Sequence, residues 1–310
     1  MKWILAHAGA LLLIIAALAA QGSNEPNWTA PLNASSNYLP RWSPDGRQLA
    51  FYTRTPDGWR IHTMDSDGGN LRQVSNGPGN DYQPEWSPSG RSLAFDSDRL
   101  GNRDIYLLGL DDHAAVRLTD TRARDVMPSW SPDGKQIAFV SDREEGQQIW
   151  IMTLEGGKAT RLTQGVRHGY LLRPRWSPDG TKLAFAASDD ATGQRRLYTI
   201  RSDGGDLRPI TPPGDAANPS WEPGGARLVF DATPEGKDDS SQGLFELFVV
   251  NSDGSGLRRL TNNRVNDWGP SWSPDGSNIA FSRGLNDQYE VFRMSADGAE
   301  VRRVTFLVYR

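Results

Sequence analysis

Six tryptophans at near-constant intervals constrain this chain more than any other feature. Trp42, Trp86, Trp130, Trp176, Trp221 and Trp272 each follow a proline two residues earlier, at spacings of 44, 44, 46, 45 and 51 residues. Around them one phrase returns, as "PRWSPDGRQLAF" at 40–51, "PEWSPSGRSLAF" at 84–95, "PSWSPDGKQIAF" at 128–139 and "PSWSPDGSNIAF" at 270–281. Self-similarity at a fixed period marks a repeat architecture, and six units of about 45 residues cover 37–306.

Each unit carries the same four short segments. The segment ending at the Trp is followed by a turn and then by a triplet such as Leu49-Ala50-Phe51 or Ile279-Ala280-Phe281, so that six of the ten Phe share one repeat position. A third segment reads "RIHTM", "DIYLL", "QIWIM", "RLYTI", "ELFVV" or "EVFRM", with apolar residues at period two. The fourth ends in Val74-Ser75, Leu118-Thr119, Leu162-Thr163, Ile210-Thr211, Leu260-Thr261 and Val304-Thr305. Four short antiparallel strands cannot bury both faces alone, whereas units stacked around an axis can. The pattern predicts an all-β fold, a six-bladed β-propeller of four-stranded antiparallel blades. A sandwich array is the alternative, but sandwiches do not need so strict a period.

In "WSPDG" the proline presets φ for a turn and the glycine supplies a left-handed residue, so the first two strands form a tight hairpin. The "SDGG", "SDGS" and "ADGA" stretches do the same between strands three and four. Alternate hairpins of an up-and-down blade point the same way, so both turn classes are expected on one face. The other connections share the opposite face and include the expanded stretches 164–174, 186–196 and 231–243. Insertions in repeat proteins gather on the binding face, which locates the expected site there.

Composition narrows the setting. Residues 1–20 hold one Lys, an apolar run and a small-residue ending, the pattern of a cleaved secretory signal peptide, and Gln21 rather than a cysteine follows. Residues 21–36 are expected to be a short linker or an extra edge segment before the propeller at 37–306. With no cysteine in the chain, burial and strand pairing must hold an exported fold together. Setting Lys2 aside from the 34 Lys plus Arg leaves 33 against 38 Asp plus Glu, a net −5 that attracts neither nucleic acid nor an anionic membrane. A periplasmic or secreted monomer is expected, without membrane insertion after cleavage.

The phrase "PxWSPDGxxIAF", the "SDR" at Ser97-Asp98-Arg99 and Ser141-Asp142-Arg143, and the closing "RLT" resemble the PD-type, WD-like repeats of the TolB family. The resemblance extends over about 270 of the 310 residues. It implies a six-bladed propeller and a role in the cell envelope, where TolB binds the lipoprotein Pal at a channel mouth. Only 16 residues, 21–36, stand between the leader and the first blade, so the α/β domain that precedes the propeller in TolB has no counterpart in this sequence. By this resemblance the partner is a protein or peptide, such as an envelope lipoprotein.

Catalytic signatures are sparse. No Gly-x-Ser-x-Gly elbow occurs. Beyond the leader the histidines are His62, His113 and His168, in three different repeat contexts, whereas a metal site needs converging ligands. Neither a metal nor a cofactor is therefore expected. Five residues before each repeat Trp stand Asn37, Asp81, Asp125, Leu171, Ala216 and Asp267. As the first residues of the innermost strands, Asn37, Asp81, Asp125 and Asp267 are expected to form a polar rim at the channel mouth. His168 and Arg173 fill in where the fourth unit lacks the acid. Local capping of loop backbone by each Asp is the competing reading. The leading expectation is a non-enzymatic protein- or peptide-binding module; the alternative is a small-ligand or carbohydrate-active propeller, a metal-assisted lyase or hydrolase.

Overall fold

The computed structural model describes residues 36–305 apart from 145, 165–168, 189–191, 235–243 and 286–287. The leader assigned to 1–20 and nearly all of the 21–36 segment therefore lie outside the described residues, as does most of the insertion at 231–243.

The described residues form six four-stranded antiparallel sheets, each built from strands consecutive in sequence and paired in sequence order. The first strands of the six blades are Asn37–Trp42, Asp81–Trp86, Asp125–Trp130, Leu171–Trp176, Ala217–Trp221 and Asp267–Trp272. Each packs against the first strand of the blades on either side, and blade six closes on blade one. This is the six-bladed propeller that the period predicts. The outermost strands are two or three residues long, which leaves little unpaired edge.

The repeated residues explain the repetition. The six phenylalanines are at most 2% exposed, each worth about 1.5–3 kcal/mol of burial. Each faces a third-strand partner in register: His62, Tyr106, Trp150, Tyr198, Phe248 and Phe292. Clusters of this kind cross the blade boundaries. Leu49, Phe51 and Met64 of blade one pack with Ala280, Val291 and Val304 of blade six.

Three of the six repeated Trp side chains staple neighbouring blades. Trp42 Nε1 donates to the Ser271 carbonyl, Trp86 to that of Arg41 and Trp221 to that of Arg175, at 3.0–3.1 Å. The closing Thr or Ser of each unit clamps the third strand: its hydroxyl accepts from the backbone N–H of Ile61, Ile105, Ile149, Leu197, Leu247 or Val291 at 2.9–3.0 Å. In "WSPDG", Ser43 Oγ donates to Asp45 Oδ1 at 2.6 Å and accepts from Gln48 N, while Gly46 takes φ +71°.

The turn faces sort as expected. The backbone of each strand-three-to-four turn bonds to that of the strand-one-to-two turn, as in Ser66 N to Arg47 O and Ser252 N to Ala226 O. At the other end, the connection between blades bonds to the strand-two-to-three turn, as in Asn80 to Asp98, and to the start of the third strand, as in Arg60 to the Gly77 and Gly79 carbonyls.

Candidate functional site

The carboxylates that open the first strands are buried and ion-paired. Asp81 meets Arg99 at 2.7 Å, Asp125 meets Arg143 at 2.9 Å and Asp267 meets Arg283 at 2.6 Å, with each acid at most 1% exposed. The partner arginine arrives from the end of strand two and lies against the repeated Phe and its third-strand partner, as Arg143 does over Phe139 and Trp150. Thus "SDR" supplies a counter-ion to the first strand of its own blade. Asn37 instead joins the first and sixth blades: its Nδ2 donates to Glu290 Oε2 at 3.1 Å. A local side-chain bond is present as well, since Asn263 Nδ2 donates to Asp267 Oδ2 at 2.7 Å. Leu171 and Ala216 fill the equivalent positions in blades four and five with apolar groups.

Arg173 sits two positions further along the fourth blade's first strand, and His168 lies outside the described residues. That position is special in every blade. Leu39, Gln83, Met127, Arg173, Asn218 and Gly269 each precede a proline and all have φ between +51° and +63°. A β-bulge there breaks the register, so that Leu39 and Pro40 together stand opposite Phe51. The bulge turns a backbone N–H away from its own sheet, and the neighbouring blade receives it. Met127 N donates to Asp96, Gly269 N to Asp231 and Leu39 N to Ser282 Oγ. Arg173 Nη1 reaches Gln83 Oε1, two blades away, at 2.9 Å, so this tier spans the central channel.

One residue before the Trp stands a second tier, nearer the turn-bearing face. Glu85 Oε2 lies 3.3 Å from Arg41 Nε and 3.0 Å from Arg175 Nη1, joining blades one, two and four. Burial, with Arg175 beside it, pushes the Arg41 guanidinium down to about 9.

At the opposite, loop-bearing end, aromatic residues converge from blades six, one and two. Tyr38 has ring centroids within 5.2–5.5 Å of Tyr52, Trp59, Trp268 and Tyr289, and Tyr82 lies 5.8 Å from Tyr52 and 6.2 Å from Trp59. Arg103 stacks on Tyr82 at 4.2 Å. Trp59 and Tyr82 are half-buried and present surface to solvent, while the other four are buried beneath them. None of these residues is in the repeated phrase; aromatic departures at one repeat position, Tyr38, Tyr82 and Trp268, are the signal that points to them.

His62 stacks on Phe51, and burial holds its imidazole below the ordinary value. His113 is exposed in the turn between strands three and four of blade two. Among the described residues no three His, Asp or Glu side chains come together to hold a metal.

A family model described as the TolB beta propeller domain matches residues 39–238. The Tol-Pal system protein TolB of Francisella tularensis subsp. mediasiatica is 31% identical over 91 residues, 29% of this chain and 19% of the relative. In three curated relatives the matched stretches span 38%, 12% and 19% of the relative's own length. Among solved structures, TolB from Acinetobacter baumannii superposes with a TM-score of 0.68 at 20% identity, covering 89% of this chain and 67% of that one. An oligogalacturonate lyase in complex with manganese gives 0.62 at 17% identity, covering 88% and 78%. At such identities the two structures share the fold.

Proposed function

The chain belongs to the TolB β-propeller domain family, and on that premise we propose that it is an exported, non-enzymatic module that binds a protein or peptide at the loop-bearing channel mouth. The observation that carries this reading is the aromatic shelf of Trp59 and Tyr82 over Tyr38, Tyr52, Trp268 and Tyr289. Large flat side chains held rigidly by one another give contact area at little cost in conformational entropy, which is what interface anchors supply. The buried Asp81, Asp125 and Asp267 pairs and the Asn37 link then serve as the mouth's framework: they fix where the first strands begin, and the aromatic side chains make contact. A periplasmic location and a partner such as an envelope lipoprotein are part of the same proposal, supported by the similarity to a Tol-Pal protein and by the leader expected at 1–20.

The experiment is capture of envelope proteins by the purified chain and by Trp59→Ala and Tyr82→Ala variants. Both variants are expected to stay folded by circular dichroism and to lose one captured partner at least tenfold. Capture by both variants equal to that of the parent would remove the shelf as the site. The second reading, a carbohydrate-active propeller, is favoured by the same shelf, since aromatic faces also stack on sugar rings. Binding of an oligosaccharide that Trp59→Ala abolishes, with no protein captured, would select it.

A further inference from the structure

At the turn-bearing end of the channel, positive charge exceeds negative. Arg41 and Arg175 come from first strands, and Arg173, in the adjacent bulge tier, donates to the neutral Gln83 amide oxygen. Glu85 alone serves both Arg41 and Arg175. The other nearby carboxylate, Asp231, is taken by Asn218 Nδ2 and the Gly269 N–H, and burial pushes it up to about 6. Arg41 is 5% exposed; its Nη1 donates to the Pro40 and Pro270 carbonyls, while its Nη2 is buried with no hydrogen-bond partner. An unpaired buried donor on a charged group is costly, and a guanidinium fork matches the two oxygens of a carboxylate or phosphate. The same register position in the other three blades holds the short side chains of Ser129, Ser220 and Ser271. The side chains of Arg175 and Glu85 are 12% and 20% exposed, so solvent reaches this tier.

We propose that this tier binds one small oxyanion, a carboxylate or a phosphate, gripped between Arg41 and Arg175 with Glu85 as its internal competitor. A bound anion would offset part of this excess charge. The site lies at the end opposite the aromatic shelf and does not depend on the binding role proposed there.

The test is a titration of the full propeller with inorganic phosphate and, separately, acetate, at constant ionic strength set by chloride. The readout is the arginine Nε–H resonances in nitrogen-edited NMR. At least one probe is expected to shift the Arg41 and Arg175 signals saturably, and the probe that saturates at lower concentration identifies the headgroup. Arg41→Gln should weaken binding about tenfold or more, through loss of a charge-assisted pair. Glu85→Gln should tighten it by a similar factor, because the competing carboxylate is gone. Should Arg41→Gln fail to fold, Glu85→Gln decides. Linear, chloride-like shifts with both probes, or no tightening in Glu85→Gln, would overturn the proposal.

Discussion

Asp125 shows how much a single buried side chain decides here. Its carboxylate receives two hydrogen bonds from Arg143 Nη2, and the guanidinium in turn covers Phe139 and Trp150. Asp125→Ala strands that arginine; since its side chain is 18% exposed, the cost should be about 2–3 kcal/mol in a denaturant titration, at the low end for a broken buried pair. Two titrations give the molecule opposite pH slopes. The unfolded chain protonates His62 near 6.5 while the folded chain, with the imidazole held lower by burial, resists. Stability from this group is therefore present above pH 6.5 and lost as pH falls below it. His62→Phe, which restores the aromatic found at Phe248 and Phe292, should remove that loss and stabilise the fold at pH 5.5. Asp231, pushed up to about 6 by burial, acts the other way: its contribution is full below pH 4 and lost as pH rises through 6. Asp231→Asn should abolish the second slope in thermal melts collected from pH 4 to 7.

At the scale of the strand, the bulge matters most. Five non-glycine residues adopt a left-handed φ ahead of a proline, each at a cost of about 1–2 kcal/mol. The N–H donated to the preceding blade offsets part of this, as from Met127 to Asp96. Gly269 has a further constraint, since a Cβ there would come within 2.5 Å of Leu39 Cδ2. Gly269→Ala should loosen the junction of blades six and one, with a loss of about 1–3 kcal/mol by denaturation. Thr163, whose hydroxyl accepts from Ile149 N and donates to Gln148 Oε1 at 2.5 Å, clamps the third strand of blade three. Thr163→Val keeps the shape and removes both bonds, so about 1–2 kcal/mol should be lost, with faster amide exchange at Ile149.

For the whole molecule, the architecture was legible because each repeated residue has a local duty that sequence period exposes. The Trp staples, the Phe core position, the Thr clamps and the Pro-Asp-Gly turns all fall where spacing placed them. The channel was less legible. Asp81, Asp125 and Asp267 do open the innermost strands, but spacing alone does not show that the arginines of "SDR" and its blade-six equivalent Arg283 bury them. Nor does alternation reveal a bulge that redirects the next residue toward the axis; Asn218 and Gly269, residues suited to a left-handed φ, were its only trace. The aromatic shelf gathers residues up to 251 positions apart, Tyr38 and Tyr289, which no local pattern connects.

On the proposed function a partner docks at the loop-bearing mouth and not on the turn-bearing face. It is tested most directly by placing a photo-crosslinking residue at Asp57, exposed beside the shelf, or at Asp133, exposed in a "WSPDG" turn of blade three. A crosslinked partner is expected from position 57 and none from 133. Crosslinking from 133 alone would contradict it.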